Sequence, residues 1–68
     1  MNTGTVKWFN PRTGYGFIQP DGGGAVAFVD ISAVQQAGYD GLTAGQRLRY
    51  DLVPGRNGDA AENLKPVA

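Results

Sequence analysis

Apolar and polar residues alternate along much of this chain, as they do in short β-strands that turn one face towards a core. The alternation predicts five strands, at about residues 3–10, 15–19, 25–30, 46–53 and 60–67. The fourth strand is the most regular, with one set of side chains expected inward and a second set expected outward. The inward set is Leu48, Tyr50 and Leu52, and the outward set is Arg47, Arg49 and Asp51. The pattern therefore indicates an all-β protein.

Glycine and proline separate the predicted strands rather than clustering in one linker, since eleven glycines and four prolines are spread along the chain. Residues 11–13 are expected to form a turn, and Gly14, which follows it, is expected to take a positive φ. Residues 21–24, Asp-Gly-Gly-Gly, predict a flexible connection. Asn57-Gly58 is a hairpin signal before the last strand. Short turns of this kind are typical of an antiparallel meander.

The segment after the third strand has a helical signal. Ser32 to Gln35 fits a capping box, and Gly38 is placed to end a very short helix. Leu42 follows and is expected to insert into the core. Five strands with one helical turn after the third predict a single domain over residues 1–68, built as a five-stranded antiparallel OB-fold barrel. An SH3-like barrel is the alternative from pattern alone.

Composition narrows the chemistry. The chain has no cysteine and no histidine, which excludes disulfides and thiolate metal sites and removes the commonest general base. Six basic and six acidic residues give zero net charge, which is weak support for nucleic-acid binding, although local arrangement matters more than the sum. No apolar run approaches the length of a membrane span, and no signal pattern opens the chain. We expect a cytoplasmic protein with no membrane partner.

Aromatic residues are concentrated in one stretch, with five of the seven between Lys7 and Asp30. Tyr15 and Phe17 share one face of the second predicted strand, while Gly16 and Ile18 occupy the other. Ile18 marks the core side, so Tyr15 and Phe17 are expected to form an outward pair. Exposed aromatics on a small domain point to a binding surface.

Two motifs in this stretch resemble the cold-shock domain family. Lys-Trp-Phe-Asn at residues 7–10, followed by Gly-Tyr-Gly-Phe-Ile at residues 14–18, is similar to that family's opening and to its first ribonucleoprotein motif. Phe28-Val29 falls at the second such motif, and the match continues without gaps to Gly58. The resemblance implies an OB-fold barrel that binds single-stranded RNA or DNA with low sequence specificity. It also implies an RNA-chaperone or a transcription or translation regulator role.

The resemblance assigns binding roles one residue at a time. Bases would stack on the aromatic residues of the motifs and of the long loop, namely Trp8, Tyr15, Phe17, Phe28 and Tyr39. Lys7 and Arg56 would meet the backbone, and Arg12 would partly replace the lysine that the family has at Thr13. Alternation alone places Trp8 inward with Val6, so its exposure requires a twist or bulge. Phe9 is expected as a partly buried support. Arg47, Arg49 and Lys65 suggest no role beyond solubility.

Asp30 and Ile31 depart from the family pattern, which has histidine and then a further aromatic residue at these positions. Two stacking platforms are therefore missing, and one is replaced by a negative charge. Each base stack is worth roughly 1–3 kcal/mol, so the loss corresponds to roughly 30-fold to more than 10⁴-fold in affinity if the two add. We expect a binding surface that is retained but weakened.

Other function classes have less support. Gly14-x-Gly16 is followed by Gln19, where a dinucleotide-binding motif needs glycine, and no catalytic, cofactor or metal residues are predicted. We expect neither an enzyme nor a small-molecule substrate. The main alternative is a protein–protein or self-associating module that uses the same aromatic residues. A monomer is expected, and strand exchange through residues 21–24 offers a route to a dimer.

Overall fold

The computed structural model describes residues 1–55 and 58–67, which form a closed five-stranded barrel with one short helix. The elements are β1 (Asn2–Asn10), β2 (Tyr15–Pro20), β3 (Ala27–Asp30), α1 (Ile31–Gln36), β4 (Arg47–Gly55) and β5 (Gly58–Pro66). The strand order is β1-β2-β3-β5-β4, and the parallel pairing of β3 with β5 accompanies four antiparallel pairings. This architecture confirms the predicted all-β OB-fold barrel, with β3 shorter and β4 longer than expected. Within the described ranges no helix is long and apolar enough to cross a membrane.

The barrel interior is filled by the inward side chains of the strands and by one side of α1. Its largest fully buried members are Tyr50, Ile18, Leu48, Val6, Val29 and Val34. The inward placement of Leu48 and Tyr50 confirms the alternation of the fourth strand. Leu42 is also buried, as predicted from the loop sequence. Because the core takes the inward faces, the outward faces of β1 to β3 are left for other contacts.

Leu52 was predicted inward, and this is wrong: 37% of its surface is exposed. Its neighbour on one side is Ala61 of β5, which is buried. On the other side, β1 pairs with β4 only as far as Asn2 opposite Tyr50. Beyond that pair no β1 residue covers β4, so Leu52 lies at the open rim of the barrel.

The helix starts earlier than predicted, at Ile31, so the capping box on Ser32 is wrong. Asp30 occupies the N-cap position without a side-chain cap hydrogen bond, and the Ser32 hydroxyl donates instead to Asp30 Oδ2 at 2.7 Å. The C-terminal end agrees with prediction. Gly38 has φ +89°, its N–H donates to Gln35, and the Tyr39 N–H donates to Val34. This Schellman motif explains why glycine ends the helix.

The glycine-rich connection after β2 is held by side chains of two other strands. The Asp21 carboxylate accepts two hydrogen bonds from the Arg47 guanidinium, at 2.7 and 2.9 Å, and one from the Thr3 hydroxyl at 2.9 Å. The Asp21 N–H also donates to the Thr3 carbonyl at 3.0 Å. Arg47 therefore anchors this connection, a role beyond the solubility that sequence suggested.

Acid is expected to weaken this anchor. Hydrogen bonds from Arg47 and then Thr3 hold the pKa of Asp21 below its ordinary value of 3.8. A lowered pKa means that the carboxylate stabilises the folded state above pH 3.8, and that this stability is lost as pH falls through the lowered pKa. In urea unfolding at a series of pH values, Asp21→Asn should show a shallower acid decline than the wild type. Glu62→Gln, on exposed β5 surface, is the control, and identical declines for wild type and Asp21→Asn would contradict the assignment.

Candidate nucleic-acid interface

Four aromatic rings form one contiguous cluster on the outer side of β1, β2 and β3, and we call them the aromatic face: Trp8, Tyr15, Phe17 and Phe28. Phe17 is at the centre, with its ring centroid 5.6 Å from that of Trp8 and 5.3 Å from those of Tyr15 and Phe28. Tyr15 and Phe28 are stacked, with centroids 5.7 Å apart and ring planes 18° apart. The rings therefore form one continuous surface.

Strand register brings the rings together. Trp8 of β1 lies opposite Phe17 of β2, which in turn lies opposite Phe28 of β3. Residues that pair directly across neighbouring strands point to the same face and have Cβ atoms about 4.5–5.5 Å apart. Tyr15 follows on the same side of β2 because it is two residues from Phe17. The outward pair predicted for Tyr15 and Phe17 is confirmed.

Trp8 reaches this face because β1 contains a bulge. Val6 pairs with Ile18 and Trp8 pairs with Phe17, so Lys7 is the extra residue of the strand. A bulge reverses the alternation of the residues that follow it. Val6 is accordingly 1% exposed and Trp8 is 45% exposed. The bulge that the exposure of Trp8 required is present.

Phe9 and Gly16 support the face from below. Phe9 is half-buried and packs against the core, as predicted. Gly16 lies opposite Phe9 and is buried. A Cβ atom on Gly16 would lie 2.8 Å from Phe9 Cδ1 and would also contact the carbonyl oxygen of Trp8. The close approach of β1 and β2 beneath the rings therefore depends on glycine.

The remaining predicted contact residues are not part of the ring cluster. Lys7 and Arg12 are exposed, and the Arg12 N–H donates to Asn10 Oδ1 at 2.9 Å in the turn after β1. Tyr39 is half-buried and packs against the core, and the ring contacts of residues 1–55 do not include it. Arg56 lies outside the described residues. The aromatic residues on the three strands thus form the centre of the candidate interface.

Asp30 and Ile31, the two departures, have different environments. Asp30 is exposed and lies directly opposite Tyr15, which places a carboxylate at one end of the aromatic face. Ile31 is half-buried and packs against the core, and its N–H donates to the Gly14 carbonyl at 2.8 Å. Sequence reasoning missed the hydrogen bond from Ser32 to Asp30. The Asp-x-Ser spacing was the available signal, since such side chains commonly bond to near neighbours.

An exposed face of flat rings is suited to contacts with other flat, apolar surfaces. Trp8 and Tyr15 present 45% and 38% of their surfaces to solvent, while Phe17 and Phe28 are half-buried. Each base of a nucleic acid has two such surfaces, which a single strand leaves accessible. The geometry is therefore compatible with base stacking.

Comparison with known proteins agrees with this geometry. Residues 2–67 match the sequence model of the family described as 'Cold-shock' DNA-binding domain. The chain is 54% identical over 67 residues to the probable cold shock protein y4cH of Sinorhizobium fredii. The alignment covers 96% of this chain and 97% of that protein. It is 49% identical over 67 residues to the cold shock protein CspA of Rhizobium meliloti, and the alignment covers 96% of this chain and 97% of that protein. It is 46% identical to the cold shock-like protein CspD of Escherichia coli, and the alignment covers 98% of this chain and 90% of that protein. With a match along nearly its whole length, this chain belongs to the cold-shock DNA-binding domain family.

Proposed function

We propose that this protein binds single-stranded RNA or DNA with low sequence specificity, by stacking bases on the aromatic face. The observation that carries the proposal is the contact among four rings on adjacent strands, two of them more than a third exposed. Stacking on an aromatic ring is tolerant of sequence because every base has a π-face. Lys7, Arg12 and Arg56 would meet the phosphates, and Tyr39 would add a contact from the loop.

The same contacts would give a chaperone activity without a nucleotide cofactor. Bases in a duplex stack on each other and pair along their edges, so the aromatic face would compete with pairing and favour the open strand. Misfolded RNA would then melt by mass action, because ligands stabilise the state that binds them. We propose this role, or regulation of transcription or translation by the same competition, for a non-enzymatic cytoplasmic protein that acts as a monomer.

We propose that the affinity for single-stranded nucleic acid is lower than it would be with aromatic residues at positions 30 and 31. Ile31 packs against the core and offers no ring, and Asp30 offers a charge in place of one. At roughly 1–3 kcal/mol for each stack, two absent stacks weaken binding by roughly 30-fold or more. The carboxylate adds repulsion to nearby phosphates, which salt screens over a Debye length of about 8–10 Å.

The proposal is tested by titrating Trp8 fluorescence with a short oligothymidine at low and at physiological salt. Trp8 is the single tryptophan of the chain, so quenching reports on this face alone. We expect saturable quenching that duplex DNA does not reproduce. With two or three phosphate contacts, the slope of log affinity against log salt should be roughly −1.4 to −2.1. No quenching at high micromolar oligonucleotide and low salt would overturn the proposal, and would favour a protein contact surface instead.

The repulsive part of the Asp30 effect gives a separate prediction. Asp30→Asn removes the charge and should tighten oligothymidine binding by roughly two- to fivefold at low salt, which is the scale of one unit charge at about 5–8 Å in water. The gain should shrink as salt rises. Filter binding or the same titration measures it. Glu62→Gln removes an exposed charge opposite Asp51 of β4, away from the aromatic face, and is the control. Equal affinities of Asp30→Asn and wild type at low salt would contradict the prediction.

A further inference from the structure

Asp30 lies beside the two stacked rings of the aromatic face. Asp30 is opposite Tyr15 across β2 and β3, and it is two residues from Phe28 on the same side of β3. Tyr15 and Phe28 are the stacked pair of the aromatic face. A base stacked on the exposed Tyr15 ring can therefore be oriented with its hydrogen-bonding edge over the end of β3, where Asp30 is exposed.

Within residues 1–55 and 58–67, this carboxylate keeps most of its acceptor capacity available. It stands at the N-cap of α1, where an aspartate usually accepts from the helix backbone, yet it makes no side-chain cap hydrogen bond. Its described partner is the Ser32 hydroxyl, which donates to Oδ2 at 2.7 Å. An ionised carboxylate has about four acceptor sites on its two oxygens. The bond from Ser32 therefore uses one site and leaves both oxygens able to accept from a ligand.

A carboxylate distinguishes the bases by their donors. Guanine presents two adjacent donors, N1–H and N2–H, on its Watson–Crick edge, and these match the two oxygens of a carboxylate. Thymine and uracil present one donor between two carbonyl acceptors, which repel a carboxylate. Cytosine and adenine present an amino group beside an acceptor nitrogen. Bases splayed from a single strand are commonly read on this edge, and a bidentate charged pair is the strongest such contact.

We infer that Asp30 selects guanine at the position that stacks on Tyr15, within a face that is otherwise tolerant of sequence. The inference rests on the proposed base stacking and adds a specificity-determining residue to it. The same charge that weakens binding of an oligothymidine thus strengthens binding of a strand with guanine in register. One good bidentate pair discriminates by about fivefold or more, and we expect about five- to tenfold at this exposed site.

The test is a competition assay against a labelled oligothymidine, because competition is independent of how strongly each base quenches tryptophan. The competitors are the unlabelled oligothymidine and strands in which one guanine replaces each thymine in turn. The best guanine strand is then remade with inosine, which lacks the N2 amine, and with 7-deazaguanine, which keeps the Watson–Crick edge. Wild type, Asp30→Ala and the control Glu62→Ala are compared, with thermal melting to verify folding.

In the wild type we expect one guanine position to bind about five- to tenfold better than oligothymidine. Inosine and Asp30→Ala should each remove most of that preference, while 7-deazaguanine and Glu62→Ala should keep it. A preference absent at every position, or one that survives either inosine or a folded Asp30→Ala, would overturn the inference while leaving the base-stacking proposal in place. Failure of every strand to compete, together with no binding of the labelled oligothymidine, would overturn both. The inosine arm uses the wild type, so a preference that survives inosine overturns the inference even if Asp30→Ala fails to fold.

Discussion

Phe17→Ala is expected to weaken oligothymidine binding by about 10- to 100-fold, a large loss for a single substitution on the aromatic face. The central ring contacts the rings of Trp8, Tyr15 and Phe28 at centroid distances of 5.3–5.6 Å. Its removal deletes one base platform, worth roughly 1–3 kcal/mol, and also releases the neighbours that it orients. The titration of Trp8 measures the loss directly, and thermal melting separates it from unfolding.

Leu52→Ala is the matched control for this experiment. Leu52 is a large apolar residue, 37% exposed against 38% for Tyr15, but it lies on β4 at the barrel rim. Its truncation should leave affinity within about twofold, because surface substitutions away from a site usually have small effects. A folded Phe17→Ala protein that bound as tightly as Leu52→Ala would exclude stacking on this face as the source of affinity.

Gly16→Ala is expected to destabilise the fold by about 3 kcal/mol or more, a large part of the total for a domain of this size. The new Cβ would lie 2.8 Å from Phe9 Cδ1 and 3.0 Å from Phe9 Cα, and would contact the Trp8 carbonyl oxygen. Two of these atoms are backbone, so relief requires β1 and β2 to separate where they hold the aromatic face. The midpoint of thermal unfolding, measured by circular dichroism, should fall by roughly 12–24 °C.

Gly22→Ala provides the comparison, because it makes the same chemical change where there is space. Apart from Gly22 itself and its two chain neighbours, no heavy atom of the described residues lies within 4 Å of the Cβ that it would add, and its φ lies outside the positive region. We expect a midpoint within a few degrees of the wild type, since removing a glycine there changes mainly the entropy of the unfolded chain. If the two variants melted together, the steric account of Gly16 would be wrong.

Local pattern was sufficient for most of the barrel. Alternation placed Ile18, Leu48 and Tyr50 in the core, and glycine chemistry placed the turn at Gly14, with φ +72°, and the helix end at Gly38. These features depend on a few neighbouring residues and on the period of a strand or helix. These features could therefore be predicted from the sequence without knowing which strands pair.

Features that depend on distant strands could not be derived this way. Leu52 follows the alternation of β4, but its exposure is decided by where β1 begins. The pairing of Asp21 with Arg47 joins residues 26 positions apart that only barrel closure brings together. Trp8 is intermediate, because alternation predicts it inward, an exposed Trp8 requires a twist or bulge, and the pairing with β2 shows where the bulge is. The family resemblance supplied the exposed Trp8 that alternation alone would have reversed.

The bulge at Lys7 also affects how freely this protein can change. Before the bulge, Gly4 and Thr5 pair with both β2 and β4 and Val6 belongs to the core, whereas Trp8–Asn10 pairs with β2 alone. Folding therefore constrains β1 up to Val6 and again at Phe9, which packs against the core, whereas the outward side chain of Trp8 is constrained mainly by the ligand. Mutation and selection can alter Trp8, and with it the preferred nucleic acid, while the inherited barrel stays intact.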